Sequence, residues 1–175
     1  LLLTEGDSAL SMAISGLSVV GREYYGAFPL KGKLLNVRDA SNKVILQNKE
    51  INSILRILGL QIGSKDYSKM RYGSVMAMTD QDTDGSHIKG LLLNVFDVFF
   101  PELLQQNDFF CVFQTPIIRA MKGNKKRYFY SLPEYESCDT VKGWSIKYYK
   151  GLGTSTAAEA REYFKNLKVL NYINK

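Results

Sequence analysis

Residues 74–86, with the sequence SVMAMTDQDTDGS, indicate the fold class of this chain more clearly than any other stretch. The stretch opens with a mostly apolar run, which is typical of a strand buried on both faces. That run ends in three alternating carboxylates, Asp80, Asp82 and Asp84, and a helix can begin at Gly85. A buried strand, an acidic turn and a helix in this order predict part of an α/β layered fold with parallel strand pairing.

The start of the chain repeats this pattern. Residues 1–4, LLLT, form a second apolar run, Glu5 follows it, and a helix rich in small and apolar residues is predicted from about 9 to 20. In open α/β sheets, ligands bind at the carboxyl ends of the strands. We therefore expect Glu5 to face Asp80 and Asp82 if the two strands are neighbours.

The rest of the chain also predicts regular elements. Periodicity and turn residues predict one helix over 43–58, strands over 109–120, 127–132 and 144–150, and a helix over 156–167. Residues 122–124, KGN, are a plausible hairpin turn between the first two of these strands. Thr156 and Glu159 have the spacing of a capping box at the start of the last helix.

Composition and charge narrow the class of protein. The chain has 175 residues, 45% of them hydrophobic, and a formal net charge of +6, so it predicts a packed fold that can meet a phosphate-rich partner. Cys111 and Cys138 lack the spacing of a zinc site or a disulfide framework, which predicts a reducing compartment. The apolar run over 91–100 is shorter than the roughly 20 residues of a membrane span, so we expect no membrane association. The chain also begins within an apolar run and without Met, which predicts a fragment of a longer protein.

The alternating carboxylates fit a divalent cation. Residues two apart in an extended chain point the same way and lie about 6.6 Å apart. Asp80 and Asp82 can therefore share one or two ions, with Asp84 behind them. Because massed like charges are costly without a cation, and Mg²⁺ prefers hard oxygen ligands, these residues predict a Mg²⁺ site. With Glu5 beside them, the site would suit two-metal phosphoryl transfer.

Three other interpretations of the acidic stretch are open. An EF-hand calcium loop begins in the same way, but its twelfth position would be Leu91 instead of Glu. Phosphatases of the haloacid-dehalogenase type also place Asp-x-Asp after an apolar strand, but they have Thr or Val where this chain has Asp84. The third interpretation is an acidic turn that only caps the following helix.

Four blocks in order carry a resemblance to a known family. They are EGDSA at 5–9, PLKGKLLNV at 29–37, DQDTDGSHI at 80–88 and YKGLGT at 149–154. Together they resemble the TOPRIM region of type IIA DNA topoisomerases. Details within 20–26 and 147–156, together with Gln81, resemble the eukaryotic DNA topoisomerase II branch more than the bacterial gyrase branch.

The resemblance implies a fold and a division of the chain. The fold is a TOPRIM Rossmann-like parallel sheet flanked by helices, with a β-rich C-terminal extension and a terminal helix. The implied segments are a metal-binding TOPRIM domain over 1–113, its β-rich extension over 114–147, and the start of the DNA cleavage region with its winged helix over 148–175.

The resemblance also implies an activity. Members of the family are homodimers that pass one DNA duplex through a transient double-strand break in another, with Mg²⁺ as cofactor and Mn²⁺ or Ca²⁺ as substitutes. Glu5, Asp80 and Asp82 would be catalytic metal ligands and Asp84 a further ligand, with Glu5 also a general acid or base at the leaving 3′ oxygen. The nucleophilic tyrosine and the ATP-binding domain would lie outside this chain, so the chain alone is expected to be inactive. The implied location is the nucleus.

Contacts to double-stranded DNA are expected from four basic residues: Lys31, Lys33, His87 and Lys150. Lys31 stands where the family usually has Arg, so it retains the charge but loses the planar, bidentate guanidinium. Two other functions remain open. One is a Mg²⁺-dependent TOPRIM nuclease or primase-like protein, and the other is a non-catalytic DNA-binding scaffold.

Overall fold

The computed structural model describes residues 1–172, which form two sheets and seven α-helices. The strands are β1 (Leu2–Glu5), β2 (Ala27–Leu30), β3 (Val75–Met78), β4 (Phe110–Phe113), β5 (Ile118–Lys122), β6 (Lys125–Phe129), β7 (Ser145–Tyr148) and β8 (Val169–Asn171). The helices are α1 (Gly6–Val20), α2 (Asn42–Gln47), α3 (Lys49–Leu58), α4 (Thr83–Phe99), α5 (Pro101–Leu104), α6 (Leu132–Glu136) and α7 (Ala157–Lys165).

The larger sheet has the order β2-β1-β3-β4-β8. Its first four strands are parallel, and β8 is antiparallel to β4. The expected α/β fold with parallel pairing is therefore confirmed. β1 and β3 pair directly, with Leu2 opposite Met76 and Thr4 opposite Met78, so the two strands end side by side. This register brings the two acidic strand ends together.

Both faces of the larger sheet are covered. Leu3 and Ala77 point into a core shared with α3 and α4, whereas Leu2 and Met76 point into a second core shared with α1 and α7. Side chains alternate between the two faces of a strand, and here each face is buried. This explains why the strand sequences are continuous apolar runs.

The smaller sheet, in the order β6-β5-β7, is antiparallel and has its own core built around Ile118, Phe129 and Val141. The predicted hairpin joins β5 to β6, where Gly123 has a φ of 58°. The terminal helix α7 packs on α1, with the ring of Phe164 against Gly16. Among residues 1–172, none of the helices combines the length and apolar character that crossing a membrane requires.

Some predicted elements are wrong in their limits. The helix expected over 43–58 is two helices, because the Asn48 side chain accepts a hydrogen bond from the Ile51 N–H at 2.9 Å and starts α3 anew. The strand expected over 109–120 is divided between β4 and β5, which belong to different sheets. The short elements α6 and β8 were not predicted; β8 has only three residues and depends on pairing with the distant β4.

Candidate metal centre

Glu5 and Asp80 meet at the carboxyl ends of β1 and β3. Glu5 ends β1 and immediately precedes α1, and Asp80 lies two residues beyond β3. The Asp80 N–H donates a hydrogen bond to Oε2 of Glu5 at 3.0 Å. The expectation that the two acidic strand ends face each other is confirmed. The bond also orients the Glu5 carboxylate toward the acidic turn.

The surroundings of Glu5 raise the pKa of its carboxyl group. Partial burial is the largest cause, and the negative charges of Asp80, Asp82 and Asp84 add to it, whereas the hydrogen bond from the Asp80 N–H acts in the opposite direction. Burial and neighbouring carboxylates both disfavour the ionised form. A cation bound here would relieve this repulsion.

Asp80 is oriented by a segment far along the chain. Its Oδ1 accepts a hydrogen bond from the Leu152 N–H at 2.7 Å. Gly151 lies against the same carboxylate, because a Cβ on Gly151 would be 3.0 Å from Oδ2 of Asp80. The backbone at Gly151 therefore packs closely against the Asp80 carboxylate. Gly153 has more room, since its Cβ would be 3.8 Å from the nearest atom, Cβ of Ser8.

Asp82 caps the helix that follows the acidic turn. Its Oδ1 accepts a hydrogen bond from the Gly85 N–H at 2.7 Å, at the start of α4. The turn is tight, because a Cβ on Gly85 would lie 2.1 Å from the carbonyl oxygen of Asp80. This is the contact that the capping interpretation of the acidic stretch predicts. Capping occupies one of its two oxygens.

Asp84 points toward a basic loop. The Lys33 ammonium lies 2.8 Å from Oδ1 of Asp84, and both side chains are largely exposed. The hydrogen bond and charge of Lys33 lower the pKa of Asp84, and His87 contributes in the same direction. The loop after β2 thus reaches the acidic turn through this ion pair.

Glu5, Asp80 and Asp82 each have one carboxylate oxygen held by a backbone N–H. Within residues 1–172, Oε1 of Glu5, Oδ2 of Asp80 and Oδ2 of Asp82 accept no hydrogen bond, whereas their sister oxygens are held by backbone N–H groups. In the same part of the chain, no three His, Cys, Asp or Glu side chains converge closely enough to hold a metal by themselves. Mg²⁺ usually binds one or two carboxylates and completes its shell with water and phosphate oxygens, so this open arrangement suits it.

All four predicted DNA contacts lie at exposed positions. Lys33 pairs with Asp84, His87 lies one turn further along α4, and Lys150 precedes Gly151. Lys31 lies on the same loop as Lys33. Among the described residues, its side chain makes no hydrogen bond or ion pair with the acidic turn, and its N–H donates a hydrogen bond to Oε1 of Glu50 at 2.5 Å.

Sequence reasoning missed three contributors to the site. Leu152 acts through its backbone N–H, which carries no sequence signal beyond the YKGLGT block itself. Glu50 holds the basic loop through the Lys31 N–H and was assigned only to a helix. Glu159 was recognised as a capping residue, which is confirmed, but it also binds three residues of the smaller sheet and its edge.

The family models and the relatives that match this chain agree with each other. A family model described as the Toprim domain matches residues 1–116, and one described as the C-terminal associated domain of TOPRIM matches residues 113–173. The chain is 55% identical to DNA topoisomerase 2 of Plasmodium falciparum and 54% identical to DNA topoisomerase 2 top-2 of Caenorhabditis elegans, over 96% and 95% of its length. It spans only about 12% of the length of each of these relatives.

A solved structure that is similar to this chain comes from the same kind of protein as these relatives. It is described as the Plasmodium falciparum topoisomerase II DNA-binding, cleavage and re-ligation domain. The match has a TM-score of 0.86 and 53% sequence identity, and it covers 94% of this chain and 23% of that one.

Proposed function

Because the chain belongs to the TOPRIM family, we propose that it is the Mg²⁺-binding region of an ATP-dependent type IIA DNA topoisomerase, which makes and reseals a transient double-strand break for strand passage. The observation that carries this proposal is the meeting of Glu5 and Asp80 at adjacent strand ends. Each carboxylate is held through one oxygen and keeps the other available for a metal.

In this proposal the backbone orients the ligands before the metal arrives. The Asp80 N–H holds Glu5, the Leu152 N–H holds Asp80, and the Gly85 N–H holds Asp82. Preorganised ligands do not have to be ordered during the reaction. Bound Mg²⁺ supplies the positive charge that stabilises the attacking and leaving oxygens of a phosphodiester. The raised pKa of Glu5 also suits it to hold a proton near the leaving 3′ oxygen.

Double-stranded DNA is the proposed partner of this surface. Lys33, His87 and Lys150 surround the carboxylates and can contact phosphates, with Lys31 further along the same loop. For the longer protein we propose a homodimer in the nucleus, with ATP bound by a domain before this chain and the nucleophilic tyrosine in a winged-helix domain after it. The segment boundaries after 113 and 147 stay predictions.

The decisive experiment uses the longer protein that contains this chain. The protein is incubated with supercoiled DNA and Mg²⁺, stopped with detergent, and assayed for protein covalently attached to 5′ ends. Asp80→Asn retains the size of the side chain but removes its charge. Asp97→Asn is the matched control, because Asp97 pairs with Arg38 near the other end of α4.

We expect an adduct that requires Mg²⁺, is lost in Asp80→Asn and persists in Asp97→Asn. Nicked DNA without attached protein would refute the proposal in favour of a nuclease. DNA binding without an adduct would refute it in favour of a scaffold. An adduct that persists in Asp80→Asn would exclude Asp80 as an essential ligand.

A further inference from the structure

Glu159, on α7, is a buried carboxylate at the centre of a hydrogen-bond network. Its side chain is only 7% exposed and pairs with Arg119 and with Lys147, whose Nζ is 3.2 Å from both oxygens. The Tyr149 hydroxyl donates to Oε1 at 2.8 Å, and the Thr156 N–H donates to Oε2 at 2.8 Å. Glu159 therefore joins the smaller sheet to α7.

Two partners of Glu159 lie at the two ends of the segment that orients Asp80. Tyr149 begins this segment and Thr156 ends it, and between them the Leu152 N–H holds the Asp80 carboxylate. Tyr149 is also joined to the smaller sheet, because its N–H donates to the carbonyl of Ile117 at 2.9 Å. One carboxylate thus clamps residues 149–156 at both ends.

Between these ends the segment closes on itself. The Thr154 N–H and hydroxyl both donate to the Gly151 carbonyl, at 3.1 and 2.7 Å, within a short 3₁₀ helix over Leu152–Thr154. These bonds close residues 151–154 into one turn, and Leu152 lies within it. A second interaction also holds this segment in place, because the Leu152 side chain is buried in the core beneath α1 and α7.

We propose that Glu159 is a positioning residue for the metal site: by clamping residues 149–156 it fixes the Leu152 N–H that orients the Asp80 carboxylate. The inference rests on the proposed function only because it assigns a metal to Asp80. The structural link from Glu159 to Leu152 does not require that assignment. Glu159 does not touch the metal or the substrate in this scheme and acts only through the segment.

The charge of Glu159 supports the clamp. Burial acts to raise the pKa of its carboxyl group, but hydrogen bonds from Thr156, Tyr149 and Lys147 outweigh burial and lower the pKa. The carboxylate is therefore ionised at neutral pH. Hydrogen bonds to an ionised acceptor are stronger than neutral ones, which suits a residue that holds two ends of a segment.

The test compares three variants of the full chain. Tyr149→Phe removes one hydroxyl while keeping the ring, and Glu159→Gln removes the charge. Glu162→Gln is the control, because Glu162 makes an ion pair from the same helix to Lys126 but, among the described residues, no hydrogen bond or ion pair to residues 149–156. Hydrogen exchange of the Leu152 amide is followed by NMR, Mg²⁺ affinity by calorimetry, and folding by the exchange of Leu3 and Ala77.

We expect the Leu152 amide to exchange about 10-fold faster in Tyr149→Phe and Glu159→Gln, since each loses a hydrogen bond to a charged group. Mg²⁺ binding should weaken by about 10-fold in both, the lower end of what is lost when the partners of metal ligands are removed. Glu162→Gln should change neither quantity. Leu3 and Ala77 should remain protected in every variant.

Unchanged Leu152 exchange in a folded Tyr149→Phe variant would overturn the inference and assign the order of the segment to the buried Leu152 side chain. If Glu159→Gln does not fold, Tyr149→Phe decides the question by itself. Faster Leu152 exchange with unaltered Mg²⁺ affinity would also overturn it. A wild-type chain that does not bind Mg²⁺ would count against the proposed function, while the exchange data would still test the clamp.

Discussion

The contact between Gly151 and Asp80 makes Gly151→Ala the most informative substitution. A Cβ at position 151 would lie 3.0 and 3.1 Å from the two carboxylate oxygens of Asp80 and 3.2 Å from its Cγ. Ordinary van der Waals contact begins at 3.4 Å, so the carboxylate must retreat by about 0.4 Å. Because Oδ1 of Asp80 accepts the Leu152 N–H at 2.7 Å, this retreat lengthens or bends that hydrogen bond.

The expected loss of stability follows from the strength of this hydrogen bond. A hydrogen bond to a charged group contributes about 1.5–3 kcal/mol, and distorting it should cost about 1 kcal/mol of unfolding free energy. For a chain of this size, that corresponds to a fall in Tm of about 2–4 °C. Misplacing a metal ligand should weaken Mg²⁺ binding by about 10-fold, or about 1.4 kcal/mol.

Calorimetric titration with Mg²⁺ and thermal unfolding in EDTA measure the two effects. Gly153→Ala is the matched control two residues away, because its Cβ would meet Ser8 at an ordinary 3.8 Å. It should bind Mg²⁺ as tightly as the wild type. If both variants lost the same Mg²⁺ affinity, or if Gly151→Ala kept the wild-type affinity, the contact with Gly151 would not position the Asp80 carboxylate.

Three further substitutions test the site and the packing. The pKa of Glu5 is raised above its ordinary value of 4.5, so ionising its carboxyl group costs more free energy in the folded chain than in the unfolded chain. This cost sets in as the pH rises above 4.5. Without metal, Glu5→Gln should therefore raise Tm at neutral pH but not below 4.5, and a uniform shift would contradict this reasoning. Gly16→Ala places a Cβ 2.1 Å from the Phe164 ring and should lower the unfolding free energy in urea by about 1–3 kcal/mol. Gly90→Ala in α4 meets only open space and should raise it by about 0.5–1 kcal/mol; a loss there would count against the packing described for α4.

The larger sheet was predictable because its strands are buried on both faces. Runs such as LLLT at 1–4 and VMAM at 75–78 need no partner to be recognised, since burial of both faces makes every position apolar. The elements that were missed depend on contacts distant in sequence. β8, for example, is a three-residue strand held by the distant β4. The break between α2 and α3 has a local cause instead, because the Asn48 side chain caps α3 and hydrophobic periodicity does not show a cap.

The site was predictable in its acids but not in what holds them. Glu5, Asp80 and Asp82 follow apolar runs, and carboxylates at parallel strand ends are expected to converge. Asp80 and Leu152 lie 72 positions apart in the chain, so no local pattern shows the hydrogen bond that orients Asp80. Glu159 carried a visible capping signal, but its pairing with Arg119 depends on how the smaller sheet docks on α7.

The sequence by itself determined the acidic chemistry, the first and third strands with the helices that follow them, the hairpin at Gly123 and the capping box at Thr156, because each depends on residues close together in the chain. Only the tertiary structure decided the sheet order, the pairing of Lys33 with Asp84 and the clamp that runs from Glu159 to Asp80. Local patterns encode backbone conformation and burial. The direction of a hydrogen bond between distant segments depends on packing that brings them within about 3 Å, and packing is a property of the whole fold.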